Sequence, residues 1–234
     1  MMSSLRHPCR FLTCVILFLL YSFCADARTI TDMRGKIVEL PDSLQSVATI
    51  DDGFVEGVMT HLGVIDRVKA IGSWAMKRDY RYRFTTVSGE AYEHSGLHTM
   101  RFLHPWLNDL PCINSPQGNV IRFEALASAK PDLVILRAGD TTVGRDKEKL
   151  NRTISAIEGM GFPLLVLYSP SWFRSSDLST MKTEASLIGE VFGEKKKSRA
   201  ACRFSLFHRK DDTRANALCS RQGKAFYPPA GPAS

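Results

Sequence analysis

Long apolar runs are scarce in this chain of 234 residues. The single run worth weighing sits at the amino end, which excludes a membrane protein of several spans. Cysteine is scarce where a disulfide framework would need it. Cys9, Cys14 and Cys24 precede residue 25, Cys202 and Cys219 lie near the carboxyl end, and Cys112 stands alone between them. The body must therefore be held by an ordinary apolar core. There is no G-x-x-x-x-G-K-[ST] phosphate loop, no G-x-G-x-x-G and no G-x-S-x-G nucleophile elbow. Internal repeats are absent. With 44% apolar and 24% charged residues, a disordered chain and a collagen-like fibre are excluded as well.

A formal charge of +7 invites a nucleic-acid reading. The distribution of charge removes it. From Lys195 onward there are ten Lys or Arg and two Asp, a net of +8, whereas residues 28–194 hold 19 basic and 21 acidic residues, a net of −2. The body is mildly acidic, so no nucleic-acid partner is expected for it.

Residues 1–10 carry Arg6 and Arg10 and no acid, Phe11 to Phe23 is almost purely apolar, and Ala25-Asp26-Ala27 follows. That order of charge, short apolar core and small residues predicts a secretory signal peptide over 1–27, cleaved after Ala27. A run of thirteen residues is too short to span a hydrocarbon layer of about 30 Å as a helix. The mature chain is expected to start at Arg28.

Ile30 to Pro41 reads as a hairpin turning at Arg34-Gly35. Val47–Ile50, Val68–Gly72, Leu133–Leu136 and Leu164–Leu167 read as short, mostly apolar strands, the last two apolar throughout. Helical patterns run from Phe54 through Leu62 and from Arg145 to Glu158. Such alternation predicts an α/β fold, a parallel sheet covered on both faces by helices. Residues 75–120 break the rhythm with Tyr80, Tyr82, Phe84, Tyr92 and Trp106, and are expected to form a functional loop or a small helical insertion. Leu178, Met181, Ala185, Ile188 and Phe192 fall at spacings of 3, 4, 3 and 4, an amphipathic stripe that Asp177 is placed to cap. The stripe stops at Lys195 and Lys196.

In parallel sheets, ligands meet the loops beyond the carboxyl ends of the strands. Those loops are Asp51-Asp52-Gly53-Phe54, Ser73-Trp74, Arg137-Ala138-Gly139-Asp140 and Tyr168-Ser169-Pro170. Together they offer carboxylates, a guanidinium, hydroxyls and aromatic rings for a bulky polar ligand. Asp51, Asp52, Phe54, Ser73, Trp74, Arg137 and Tyr168 are the candidate binding residues, with Arg137 placed to pair with an anionic chelate. For any single residue the competing reading is a turn, where Asp and Gly serve loop geometry. His94 and His98 have the i, i+4 spacing of helical metal ligands, and His104 lies near them in sequence. Gly96 between the first two argues against a helix there, so a structural or surface place is the leading reading for all three.

Asp32-Met33-Arg34-Gly35-Lys36 with Val38 and Pro41 resembles the opening of periplasmic iron-siderophore and cobalamin binding proteins, the substrate-binding subunits of ABC importers. Val47-Ala48-Thr49, the turn near Gly63 before Val68-Lys69-Ala70-Ile71-Gly72, and Phe123-Glu124-Ala125-Leu126 before Lys130-Pro131-Asp132-Leu133-Val134-Ile135 are similar to further blocks of that family, in the same order. The resemblance covers about residues 29–195. It implies two α/β lobes joined by one long helix, a ligand clamped between them, and no catalysis. The ligand it implies is a metal chelate (siderophore, haem or cobalamin-like), with no cofactor of the protein's own. It also implies that Glu124, eight residues before Asp132, docks onto an inner-membrane permease. The expected organisation is a signal peptide over 1–27, a binding lobe over 28–175, the start of an interlobe helix over 176–197, and a foreign-looking tail over 198–234 in place of the second lobe. A periplasmic monomer is expected. Two rival readings are a secreted α/β hydrolase-like enzyme using Asp51 or Asp52 with His104, and a receptor for free zinc or manganese using His94, His98 and His104.

Overall fold

The computed structural model describes residues 28–115, 121–140, 142–175 and 177–198. The expected signal peptide and all but the first residue of the expected tail lie outside the described residues.

Strands β3 (Val47–Ile50), β4 (Val68–Ile71), β7 (Leu133–Ala138) and β8 (Leu164–Tyr168) form one parallel sheet in the order β4-β3-β7-β8. All six residues of β7 are buried, because the sheet is covered on both faces. Strand alternation divides the core. Val47, Leu133, Ile135, Leu165 and Leu167 face α1 (Phe54–Leu62) and α6 (Ser179–Val191). Ala48, Ile50, Val134, Leu136 and Val166 face α4 (Phe123–Ala129) and α5 (Lys147–Gly159). The expected α/β architecture is thus present.

The expected amino-terminal hairpin is β1 (Arg28–Thr31) paired with β2 (Ile37–Leu40), and Gly35 supplies the left-handed turn at φ 81°. Its turn folds over β8. Asp32 accepts from the backbone N–H of Arg34 (2.8 Å), Lys36 (3.1 Å) and Val166 (3.3 Å), and from Arg34 Nε (2.6 Å). At the opposite border Ile71 exchanges hydrogen bonds with Pro111 and Ile113.

The segment read as a loop or helical insertion contains a second hairpin, β5 (Asp79–Thr85) with β6 (Ala91–Leu97). Tyr80-Arg81-Tyr82-Arg83-Phe84 alternates with the period of a strand, and Gly89 at φ 88° closes the turn. Two short helices, α2 (Trp74–Lys77) and α3 (Thr99–Leu103), flank it.

Helix α6 ends at Val191, short of residue 197, and Gly193 at φ 74° terminates it. Residues 195–198 turn back, and Ser198 Oγ donates to the Ala185 carbonyl at 2.8 Å. The buried face of α6 includes Glu184, Ile188 and Val191, whereas Leu178, expected on the stripe, is exposed. Asp177 does receive the Ser179 N–H, at 2.9 Å. Among the described residues no helix is long and apolar enough to cross a membrane.

Candidate functional site at the carboxyl edge of the sheet

Asp51 and Asp52 follow β3 directly and precede α1. Gly53 takes φ 108°, and a Cβ there would meet His98 Cε1 at 2.6 Å, so the turn needs glycine. Asp51 is fully buried and accepts the Val55 N–H at 2.7 Å, which satisfies an orphan donor of the first turn of α1. Asp52 Oδ1 accepts from Ser73 Oγ at 2.8 Å and from Thr142 Oγ1. Ser73 Oγ in turn accepts the Met76 N–H at 3.2 Å and caps α2, which begins with the half-buried Trp74. One carboxylate thus ties together the loops after β3, β4 and β7.

Arg137 is 9% exposed on β7. Its Nε and Nη2 donate to the two carboxylate oxygens of Glu184 at 2.6 and 3.1 Å, and Nη1 reaches Asp51 Oδ1 at 3.5 Å. The Phe54 ring lies 4.3 Å from the guanidinium carbon, a cation–π stack. Burial alone would lower the Arg137 pKa; hydrogen bonding to Glu184 and the charge of Asp51 more than offset it, and the net direction is up. Arg137 was expected to reach toward an anionic chelate. Three of its N–H groups and one face of the guanidinium are engaged by Glu184 of α6 and by the Asp51–Phe54 turn.

The acids outnumber this one cation. Burial, then the charge of Asp51, pushes Glu56 well above the ordinary carboxyl range. Glu56 Oε1 accepts from Thr49 Oγ1, while its buried Oε2 has no partner among the described residues. Asp140 Oδ1 accepts the N–H groups of Thr142 (2.9 Å) and Val143 (3.0 Å), and Oδ2 is likewise buried without a partner. Burial and Asp51 raise Asp140 to about 8. Glu184 is also raised by burial, against the pull of Arg137.

Tyr168 ends β8, level with Ala138, while Arg137 is level with Leu167. The pleat therefore puts Tyr168 and Arg137 on opposite faces of the sheet, and the expected convergence of the two does not occur. Tyr168 stacks instead on Trp172 (5.1 Å, 19°) and meets the edge of Phe173 (6.3 Å, 78°). Glu56, Thr142, Trp172 and Glu184 were not singled out by sequence reasoning. An arginine inside the apolar run of β7 was the available sign that a buried acid had to face it.

The histidines are dispersed. His98 Nδ1 accepts the Met100 N–H at 3.2 Å, which assigns the proton to Nε2, the donor to the Asp52 carbonyl at 3.2 Å. His104 Nε2 meets Thr60 Oγ1 at 2.9 Å on α1, away from the pairing with Asp51 or Asp52 that a hydrolase-like site needs. His94 lies on the outer hairpin, opposite Tyr82. Among the described residues no three His, Cys, Asp or Glu side chains are placed to hold a metal ion, which leaves the free-metal reading without a site there. Glu124 is exposed in the first turn of α4, whose inner side carries Phe123, Leu126 and Ala129. A hollow of about 580 Å³ lies elsewhere, between β1 and the end of α6, lined by Arg28, Ile30, Glu190 and Lys195 among others. It brings no convergent side-chain chemistry beyond the surface pair Lys195–Glu190 at 2.6 Å.

No protein-family model matches the chain, and no curated protein does. Solved structures do. A periplasmic solute-binding protein from Veillonella parvula matches with a TM-score of 0.56 at 17% identity, over 81% of this chain and 48% of that one. The molybdate periplasmic binding protein MolA of a Haemophilus influenzae ABC transporter, solved with molybdate, gives 0.56 at 17% identity over 84% and 54%. The petrobactin-binding protein YclQ from Bacillus subtilis gives 0.53 at 15% identity over 80% and 52%. The chain spans about half the length of these proteins, and its fold is that of one of their lobes.

Proposed function

We propose that this chain acts as a periplasmic solute-binding subunit of an ABC importer, and that its solute is a metal chelate of the siderophore, haem or cobalamin kind. The observation that carries the reading is the carboxyl edge of the parallel sheet. There Asp52 gathers the loops after three strands, with Trp74 and Phe54 beside it. The likeness to one lobe of periplasmic binding proteins supports it. In this reading Asp51, Asp52, Phe54, Ser73, Trp74 and Tyr168 form or frame the binding edge. Arg137 holds that edge in shape through Glu184 and Asp51, which engage three of its N–H groups. Export after cleavage at Ala27 and docking of the exposed Glu124 on an inner-membrane permease complete the proposal. Charge complementarity at such a docking site fixes orientation more than it adds affinity.

The direct test is calorimetry of the full secreted chain with ferric siderophores, haemin and cobalamin, alongside free zinc and manganese. Saturable uptake of a chelate that Trp74→Ala weakens is the expected result. Stoichiometric binding of free zinc or manganese with no chelate bound would overturn the reading.

A further inference from the structure

Among the described residues, β5 and β6 have no strand neighbour but each other, so each carries one open edge. The hairpin is tied to the molecule at its base. There Tyr80 Oη donates to the Ala75 carbonyl and Arg101 Nη1 to Asp79, both at 2.8 Å. Both ties are made by β5. Every residue of β6 except Gly96 is exposed, and Gly96 is half-buried.

The turn fixes which backbone groups are open. The Thr86 N–H donates to the Glu90 carbonyl at 2.8 Å, so these two residues form a hydrogen-bonded pair. Bonded and non-bonded pairs alternate along an antiparallel ladder. Phe84–Tyr92, Tyr82–His94 and Tyr80–Gly96 are therefore bonded pairs, and the intervening residues point their backbone groups outward. On β6 these are Ala91, Glu93, Ser95 and Leu97; on β5 they are Asp79, Arg81, Arg83 and Thr85.

The two edges differ in how they meet a copy of themselves. A strand paired antiparallel with its own copy over its full length is centred on its middle residue. For β5 that residue is Tyr82, which sets Arg81 opposite the partner's Arg83 at two places. Like charges directly opposite each other are destabilising. For β6 the middle residue is His94. Glu93 then faces the partner's Ser95, Ala91 the partner's Leu97 and Tyr92 the partner's Gly96, and the outward groups are the ones this register bonds. No carboxylate meets a carboxylate, and the hydroxyl of Ser95 is a donor for the carboxylate of Glu93. A Cβ on Gly96 would meet nothing within 4 Å, so the place across from Tyr80 is open. The partner's Tyr92 would cover it, as an aromatic ring opposite an edge glycine does. Tyr92 and Leu97 are each about half exposed in the single chain.

We propose that β6 pairs antiparallel with β6 of a second copy about a two-fold axis at His94, joining two hairpins into one four-stranded sheet. The contact is isologous, so it closes as a dimer. The monomer expected from the sequence would leave this edge open. The proposal is independent of the transport reading.

Sedimentation of the full secreted chain over a range of concentrations tests it, and a reversible monomer–dimer equilibrium is the expected result. Ser95→Glu puts a carboxylate opposite Arg81 within the hairpin, which favours the single chain, and opposite the partner's Glu93 in the dimer. It should raise the dimer dissociation constant roughly tenfold. Ser95→Lys reverses both relations and should tighten the dimer. His94→Cys should give a disulfide-linked dimer on mild oxidation, because opposed residues of a non-bonded pair have Cα atoms roughly 4.5 Å apart. Tyr92→Cys should not, and mapping the linked peptide distinguishes this bond from any made by Cys112, Cys202 or Cys219. A chain that stays monomeric at millimolar concentration overturns the proposal; protection of the Glu93 and Ser95 amides from exchange in that monomer would assign the edge to another segment of the same chain. A dimer that both Ser95 variants shift in the same direction, or that fails to cross-link through His94→Cys, overturns it too. Polymers beyond the dimer would mean β5 bonding to β6 head to tail, and would overturn the closed arrangement.

Discussion

Arg137 on β7 and Glu184 on α6 form a two-point ion pair across 47 residues of sequence, with Nε–Oε1 at 2.6 Å and Nη2–Oε2 at 3.1 Å. Both carboxylates that touch this guanidinium have buried side chains. The pair fastens β7 to the helix that covers the same face of the sheet.

Arg137→Ala should therefore act on folding first. It leaves Glu184 and Asp51 buried without their cation, a change that costs about 3–5 kcal/mol. Glu184→Gln keeps an acceptor for Nε and should cost less, about 1–2 kcal/mol. Urea unfolding of the three proteins checks the order. Equal stability of Arg137→Ala and wild type would mean that the ion pair holds nothing.

Asp140 gives the fold a pH dependence of definite sign. Its native pKa is raised from 3.8 to about 8, so between those values the native state holds a proton that the unfolded chain releases. Stability falls as pH rises through that window, by at most about 1.4 kcal/mol per pH unit for one proton. Asp140→Asn keeps an acceptor for the Thr142 and Val143 N–H groups and removes this proton. Its melting temperature should rise relative to wild type between pH 5 and 8. A constant difference across that range would contradict the shift.

Gly72 has no room for a side chain. A Cβ there would lie 2.8 Å from the Ile50 Cα and 2.9 Å from the Thr49 carbonyl oxygen, both backbone atoms that cannot turn aside. Gly72→Ala should cost about 1–3 kcal/mol, as overpacking does, and loosen the β3–β4 junction. Amide exchange at Ile50 and Ile71 reads the second effect; unchanged protection would show that the strands shift without strain.

Glu124→Arg separates transport from folding and binding. Glu124 is exposed, so its replacement should change stability by no more than about 0.5 kcal/mol. Chelate affinity should stay the same while uptake into cells stops. Normal uptake would remove Glu124 from the docking surface.

The sheet was legible in the sequence because a parallel strand buried on both faces must be apolar throughout, as Leu133–Leu136 and Leu164–Leu167 are. Gly35 and the Phe54–Leu62 helix were legible for the same kind of local reason. The outer hairpin was missed because neither of its faces joins the core. Its signal is the alternation of Tyr80, Tyr82 and Phe84 with Arg81 and Arg83, without the apolar contrast that marks a half-buried strand. Glu184 lies one turn before Ile188, so helical spacing places it on the buried face; what stayed hidden was the partner of its charge, the arginine of β7 opposite it. The separation of Arg137 and Tyr168 follows from strand pairing, which no single strand's sequence contains.

The four-stranded sheet is also finite by construction. The Asp32 turn occupies the outward hydrogen-bonding groups of Val166 at one border, and Pro111 and Ile113 occupy those of Ile71 at the other. Another chain finds no open ladder at these positions on which to add a strand. Copies of the chain are therefore denied strand addition at these two borders of the four-stranded sheet. That protection depends on Asp32 remaining a carboxylate and Gly35 remaining a glycine.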